Sequence, residues 1–163
     1  MAIDTAPLNF AKFNAVSINR SQTFELALRP DTAFPLFTVH GEKQWIPTWQ
    51  PTVLHGDGVT PGSVWVTEHN DQTTVWYVAS FDTTARTARY VRTTPNVDTG
   101  TVDIAVLPSA TSGSAVTVCY RLTGLSPQGN QRLRREFTTR RYAAMLASWQ
   151  QMIADKVVNS ADQ

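Results

Sequence analysis

The residues able to do chemistry are few and scattered. The three histidines, His40, His55 and His69, show no H-x-H or H-E-x-x-H spacing that would pair them as metal ligands. Glu68 and His69 are adjacent, but neighbours on a strand point to opposite faces. No metal site is expected. The single cysteine, Cys119, sits in a strand-like run and reads as a small buried residue, not a nucleophile. The segment HGDGVTPG (55–62) is rich in glycine. After Gly56 and Gly58, however, the next glycine comes one place too late for a dinucleotide fingerprint. It reads as a turn-rich loop. There is no G-x-S-x-G elbow and no phosphate-binding loop, so no cofactor is expected.

What remains is a set of aromatic and polar side chains on strand-like runs. Trp76, Val78 and Ser80 alternate on one run and Tyr90 and Arg92 on the next. Tyr120 alternates with Val116 and Val118. With Phe37, Trp49 and Trp65 they could line a pocket that is mostly apolar with a few polar tips, the usual make-up of a small-molecule site. The plainer alternative is that these rings fill a core.

The element that would close such a pocket is the stretch from Ser126 to Val157, read as one long helix. Ser126 can cap it and Pro127 suits its first position. At ~100° per residue, Phe137, Ala144, Met145, Ser148, Trp149 and Met152 share a face. Arg134 and Arg141 project near its centre. Either both arginines reach out to water from its edge, or Arg141 enters a cavity and meets Glu68, Asp103 or an acidic ligand. Phe137, Arg141 and Met145 are the helix's expected cavity residues. The apolar stripe drifts along the stretch, as a bent helix or a break near Thr138-Thr139 would produce. The other arginines, Arg132, Arg135 and Arg140, wrap round the helix instead of forming one stripe, which argues for a solvated face and against nucleic acid.

Composition sets the outer bounds. The length of 163 residues fits one domain, and the net charge of +1 favours neither nucleic acid nor membrane. No apolar run approaches the ~20 residues of a membrane span. The N-terminus lacks a signal-peptide pattern, so a cytoplasmic location is expected.

In chain order, residues 1–15 read as an irregular arm and Val16 to Leu28 as a strand. Asp31 can cap a short helix carrying Ala33, Phe34, Leu36 and Phe37, which Pro35 confines to its first turns. A second short helix is expected from Glu42 to Pro47, then a strand at Thr52 to His55. Five further strands follow: Ser63–His69, Thr73–Phe81, Thr87–Thr94, Thr99–Leu107 and Ser114–Thr123. Turn signals separate them at Asn70-Asp71, Asp82-Thr83, Pro95-Asn96, Pro108 and Ser112-Gly113. Such short connections demand antiparallel neighbours. The fold class is α+β: a curved antiparallel sheet wrapped round a long C-terminal helix, with two short helices after the first strand.

This order resembles the SRPBCC (START-like) helix-grip superfamily. The likeness is carried by FPLFTVHGEKQWIPTWQP (34–51), TPGSVWVTEH (60–69), TTVWYVASFD (73–82), ARYVRTTP (88–95) and VTVCYRLTGLSPQGN (116–130). It implies one START-like domain over residues 1–163 and an internal cavity between sheet and helix. It also implies a hydrophobic small-molecule ligand, lipid- or polyketide-like, without nucleic acid or membrane insertion. A homodimer stays open. The superfamily hosts several functions on one scaffold. Two alternatives therefore stand beside ligand binding: a cofactor-free cyclase or dehydratase acting on a polyketide-like substrate, and a co-chaperone-like interaction module. No catalytic residue can be assigned.

Overall fold

The computed structural model describes residues 13 to 111 and 113 to 158. The expected N-terminal arm as far as residue 12, and Ser112 of the expected Ser112-Gly113 turn, lie outside them. Seven strands form one sheet: β1 (Ser17–Leu26), β2 (Thr52–His55), β3 (Val64–His69), β4 (Gln72–Asp82), β5 (Thr87–Thr94), β6 (Asp98–Pro108) and β7 (Ser114–Gly124). Their order is β1-β7-β6-β5-β4-β3-β2, and every neighbouring pair is antiparallel. The short turns force the meander from β2 to β7. β1 returns to pair with β7, so the first and last strands lie side by side.

Local chemistry explains the turns. Asn70, Asp71 and Asn96 take positive φ, which asparagine and aspartate tolerate better than most residues. Asp57 organises the 55–62 loop. Its carboxylate accepts from the amides of Val59 and Thr60 and from the hydroxyls of Thr60 and Ser63. Those bonds, led by the Thr60 amide, hold its pKa well below the usual carboxylate range.

Between β1 and β2 the chain makes a single turn of α-helix, α1 (Pro30–Ala33), and 3-10 turns at Phe34–Phe37 and Gly41–Gln44. The cap position of α1 belongs to Arg29, not Asp31; Asp31 sits inside the first turn and pairs with Arg86 at 3.1 Å. The second turn begins at Gly41 because it packs on the first: a Cβ there would come within 1.9 Å of the Pro35 carbonyl oxygen. Both turns plug the sheet with Phe34, Leu36, Phe37, Val39 and Trp45, all buried.

The expected single C-terminal helix is two helices, α2 (Pro127–Glu136) and α3 (Thr139–Ile153), and α3 widens into a π-turn at Ala154–Val158. Ser126 caps α2 as expected, accepting from Gly129 N at 3.0 Å. The break falls at Phe137 and Thr138. Thr138 takes extended φ/ψ and caps α3 through the Arg141 amide, while Arg20 Nε of β1 holds the Phe137 carbonyl at 2.8 Å. The new cap restarts the helical wheel. The face of α3 buried against the sheet therefore follows Tyr142, Leu146, Trp149 and Ile153, a regular i, i+4, i+7, i+11 stripe. Ala144 and Ser148, expected on the packing face, are exposed.

Candidate functional site

The inner face of the sheet is set by alternation. Ala88, Tyr90, Arg92 and Thr94 of β5, Asp98, Val102, Ile104 and Val106 of β6, and Val116, Val118, Tyr120 and Leu122 of β7 all point in and are buried. β4 departs from strict alternation. Its register against β5 shifts between Val78 and Ser80, so Val78 is inside and Ser80 outside. The expectation that Trp76, Val78 and Ser80 share a face fails at this bulge, because one extra residue flips everything beyond it. Phe81 takes the inward place and stacks on Phe34 at 4.9 Å.

Between this face, the two 3-10 turns and α3 lies an internal space of about 30 Å³. Trp65 and Trp76 form one wall. They are cross-strand partners on β3 and β4, stacked 6.1 Å apart and 3° from parallel. Tyr90 stands edge-on to Trp65 at 5.5 Å and donates its hydroxyl to the Phe37 carbonyl at 2.9 Å. Trp76 Nε1 donates to Thr67, and Trp49 Nε1 donates to the Val39 carbonyl at 2.7 Å. Tyr120, Val102, Ile104 and Trp149 complete the lining.

The polar groups on this lining are unusual in what they lack. Trp65 Nε1 is buried and has no acceptor. The Tyr120 hydroxyl makes no hydrogen bond among the described residues; burial pushes its pKa up to about 12, so it stays a neutral donor. Glu42, on the 3-10 turn Gly41–Gln44, borders the same space. Its carboxyl makes no hydrogen bond or ion pair among the described residues, and burial raises its pKa to about 8. It is therefore mostly protonated at neutral pH.

Arg92 adjoins this lining. Its guanidinium carbon lies 5.5 Å from the Trp76 ring centroid, and its Nη2 lies 3.1 Å from Asp98 Oδ1 and 3.2 Å from Thr94 Oγ1. The buried cation is thus already matched by a buried anion.

Of the residues expected to form the site, Phe37, Trp49, Trp65, Trp76, Tyr90 and Tyr120 border the space together. Phe137 is buried behind Tyr120, with ring centroids 5.8 Å apart. Met145 is half-buried against the core but is not part of the lining. Arg141 is exposed and meets no carboxylate, because the restarted helix turns it outward. Its expected partners are elsewhere: Glu68 is exposed, and Asp103 lies on the outer sheet face with Arg89 and Arg121. Burial pushes the Asp103 carboxyl up, but hydrogen bonds and charge from the two arginines outweigh it and hold the pKa below the ordinary value. Glu42 was missed. The only hint was a charged residue in a stretch whose large members, Phe37, Val39, Trp45 and Trp49, are all apolar.

Among the described residues no three His, Cys, Asp or Glu side chains gather as metal ligands, and no helix is long and apolar enough to cross a membrane. Cys119 faces the outer side of the sheet, its Sγ 3.4 Å from Asn19 Oδ1.

No protein-family model matches the sequence, and no curated protein matches it either. Solved structures do match. Norcoclaurine synthase from Thalictrum flavum, in complex with dopamine and hydroxybenzaldehyde, superposes with a TM-score of 0.64 at 13% identity over 95% of each chain. A protein from Thermobifida fusca gives 0.64 at 16% identity, covering 85% of this chain and 95% of its own. The protein Ara h 8.0201 gives 0.60 at 13% identity, covering 86% and 99%. With the seven-stranded antiparallel sheet and its C-terminal helix, these matches establish the fold as the SRPBCC (START-like) helix grip.

Proposed function

We propose that this chain binds a small hydrophobic molecule, aromatic in character, between the inner sheet face and α3. The observation that carries this is the lining itself: a shell of tryptophan and tyrosine rings holding three polar groups without partners, Trp65 Nε1, the Tyr120 hydroxyl and the Glu42 carboxyl. A buried polar group without a partner costs roughly 1–3 kcal/mol, and three at one spot suit a binding site better than a core. The fold supports the reading, since one protein that shares it has been crystallised with two aromatic molecules.

Size constrains the ligand. A space of about 30 Å³ is far below the ~300–1,000 Å³ of a typical ligand pocket. Entry must displace side chains, and Trp49 and Trp149 are the half-buried ones on the lining free of strand geometry. A one-ring molecule needs less of this movement than a long acyl chain.

The test is titration with 2-phenylethanol, followed by tryptophan emission and by the indole N–H signals in ¹H–¹⁵N spectra. Saturable shifts of the Trp65 and Trp76 indoles are expected, and a Val102→Trp variant should lose them. Shifts confined to surface residues would refute internal binding.

A second reading, a cofactor-free cyclase or dehydratase, draws on Glu42. An acid whose pKa is raised to about 8 can give and take protons near neutral pH. Its test is turnover of a poly-β-ketone thioester that is lost in Glu42→Gln.

A further inference from the structure

We propose that the ligand of this site carries a protonated amine, held against the Glu42 carboxylate and the surrounding aromatic faces. The inference rests on the binding function proposed above and assigns the charge of its ligand.

The charges on the inner side do not balance evenly. Arg92 and Asp98 neutralise each other at 3.1 Å, and Arg92 covers a face of Trp76. Of the other titratable groups facing the space, Tyr90 on β5 is bound to the Phe37 carbonyl, and Tyr120 on β7 is neutral. α3 contributes Trp149, which carries no charge, and Arg141 on the same helix is exposed. On the turn that carries Glu42, Lys43 is exposed, and His40 beside it is exposed and bonded to the Asp57 carbonyl. Glu42 is thus the one ionisable group on this lining with neither an ion pair nor a hydrogen bond among the described residues.

An acid in that position prefers to stay protonated, because its charged form loses water and gains nothing. An ammonium group changes that balance. It supplies the missing counter-charge, and the negative faces of tryptophan and tyrosine attract cations without needing water. Trp49, Trp65, Tyr90 and Tyr120 border the same small space as Glu42. A carboxylate ligand meets the opposite situation: the only buried guanidinium is already paired, and an ionised Glu42 repels it.

Proton linkage gives a signature that packing alone cannot produce. Alkylamines remain protonated to about pH 10. Below about pH 8, binding an ammonium group must therefore release the Glu42 proton. Affinity for the amine should rise with pH and then level off, whereas affinity for an uncharged isostere should not change.

The experiment compares 2-phenylethylamine with 2-phenylethanol by calorimetry on the full chain at pH 6.5 and 8.5, in wild type and in Glu42→Gln. At pH 8.5 the amine should bind wild type at least tenfold more tightly than the alcohol. Amine affinity should gain about tenfold from pH 6.5 to 8.5, with proton release at the lower pH. Glu42→Gln should abolish both effects and keep alcohol binding, which also shows that the variant is folded. Equal affinities, a preference for the alcohol, or an amine preference that survives Glu42→Gln would overturn the proposal while leaving small-molecule binding intact. Binding of neither molecule would overturn it together with the proposed function.

Discussion

Arg92 Nη2 and Asp98 Oδ1 meet 3.1 Å apart, diagonally across β5 and β6 on the inner face of the sheet. Gly100 stands directly opposite Arg92 and has no side chain to obstruct the contact. Asp98 is wholly buried, and neither of its oxygens has a well-aligned hydrogen bond, so the contact is one of charge. Removing one member strands the other in the core. Breaking a buried pair in this way typically costs ~3–5 kcal/mol. Arg92→Met and Asp98→Asn should each lose stability of that order in urea denaturation. The double variant should lose clearly less than the sum. Additive losses would mean that the two charges are not coupled.

Glu42 should make stability fall with rising pH. Its folded pKa, about 8, lies above the ordinary 4.5, so the folded state holds the proton more tightly. Stability is therefore lost as pH rises from about 4.5 to about 8, and the loss then levels off. Asp103 and Glu136, held below ordinary values, act in the opposite sense at lower pH and are common to wild type and variant. Glu42→Gln should match wild type at pH 4 and exceed it in stability at pH 9. Equal stability at pH 9 would show that the carboxyl is solvated.

Trp149 and Arg141 lie on the same helix but should respond oppositely to substitution. The Trp149 ring is 5.6 Å from that of Trp45 and borders the internal space. It is half-buried, so Trp149→Ala should cost ~2–4 kcal/mol, somewhat less than a fully buried aromatic. Arg141→Met, at an exposed position, should stay within ~0.5 kcal/mol and leave ligand preference unchanged. A large loss from Arg141→Met would mean that α3 is rotated from the orientation described.

Asn130 fastens α2 to the chain entering β1. Its Oδ1 accepts from Val16 N and its Nδ2 donates to Asn14 O, both at 2.8 Å. Asn130→Leu leaves both backbone groups without these partners and should cost ~2–4 kcal/mol. Amide exchange at Val16 should accelerate ahead of the neighbouring β1 amides. Unchanged exchange there would show that water replaces the side chain without loss.

The local signals in the sequence were enough to place the elements. Alternating β-branched and aromatic residues located the strands to within a residue or so, from Thr52–His55 to Ser114–Gly124. Asn70-Asp71 and Asn96 marked their turns through a backbone preference that acts within one or two residues. Six of the ten expected cavity residues border the internal space, because strand alternation carries over directly into facing. Facing was lost wherever a single residue reset the phase. The bulge after Val78 sent Ser80 outward, and the Thr138 cap started a new helix that turned Arg141 to solvent. Periodicity cannot register such events, since one residue shifts a strand by half its period and a helix by ~100°. The tertiary structure alone decided the pairing of Arg92 with Asp98 and the isolation of Glu42. Both depend on which side chains arrive from distant parts of the chain, and so on how much water and counter-charge each buried group keeps.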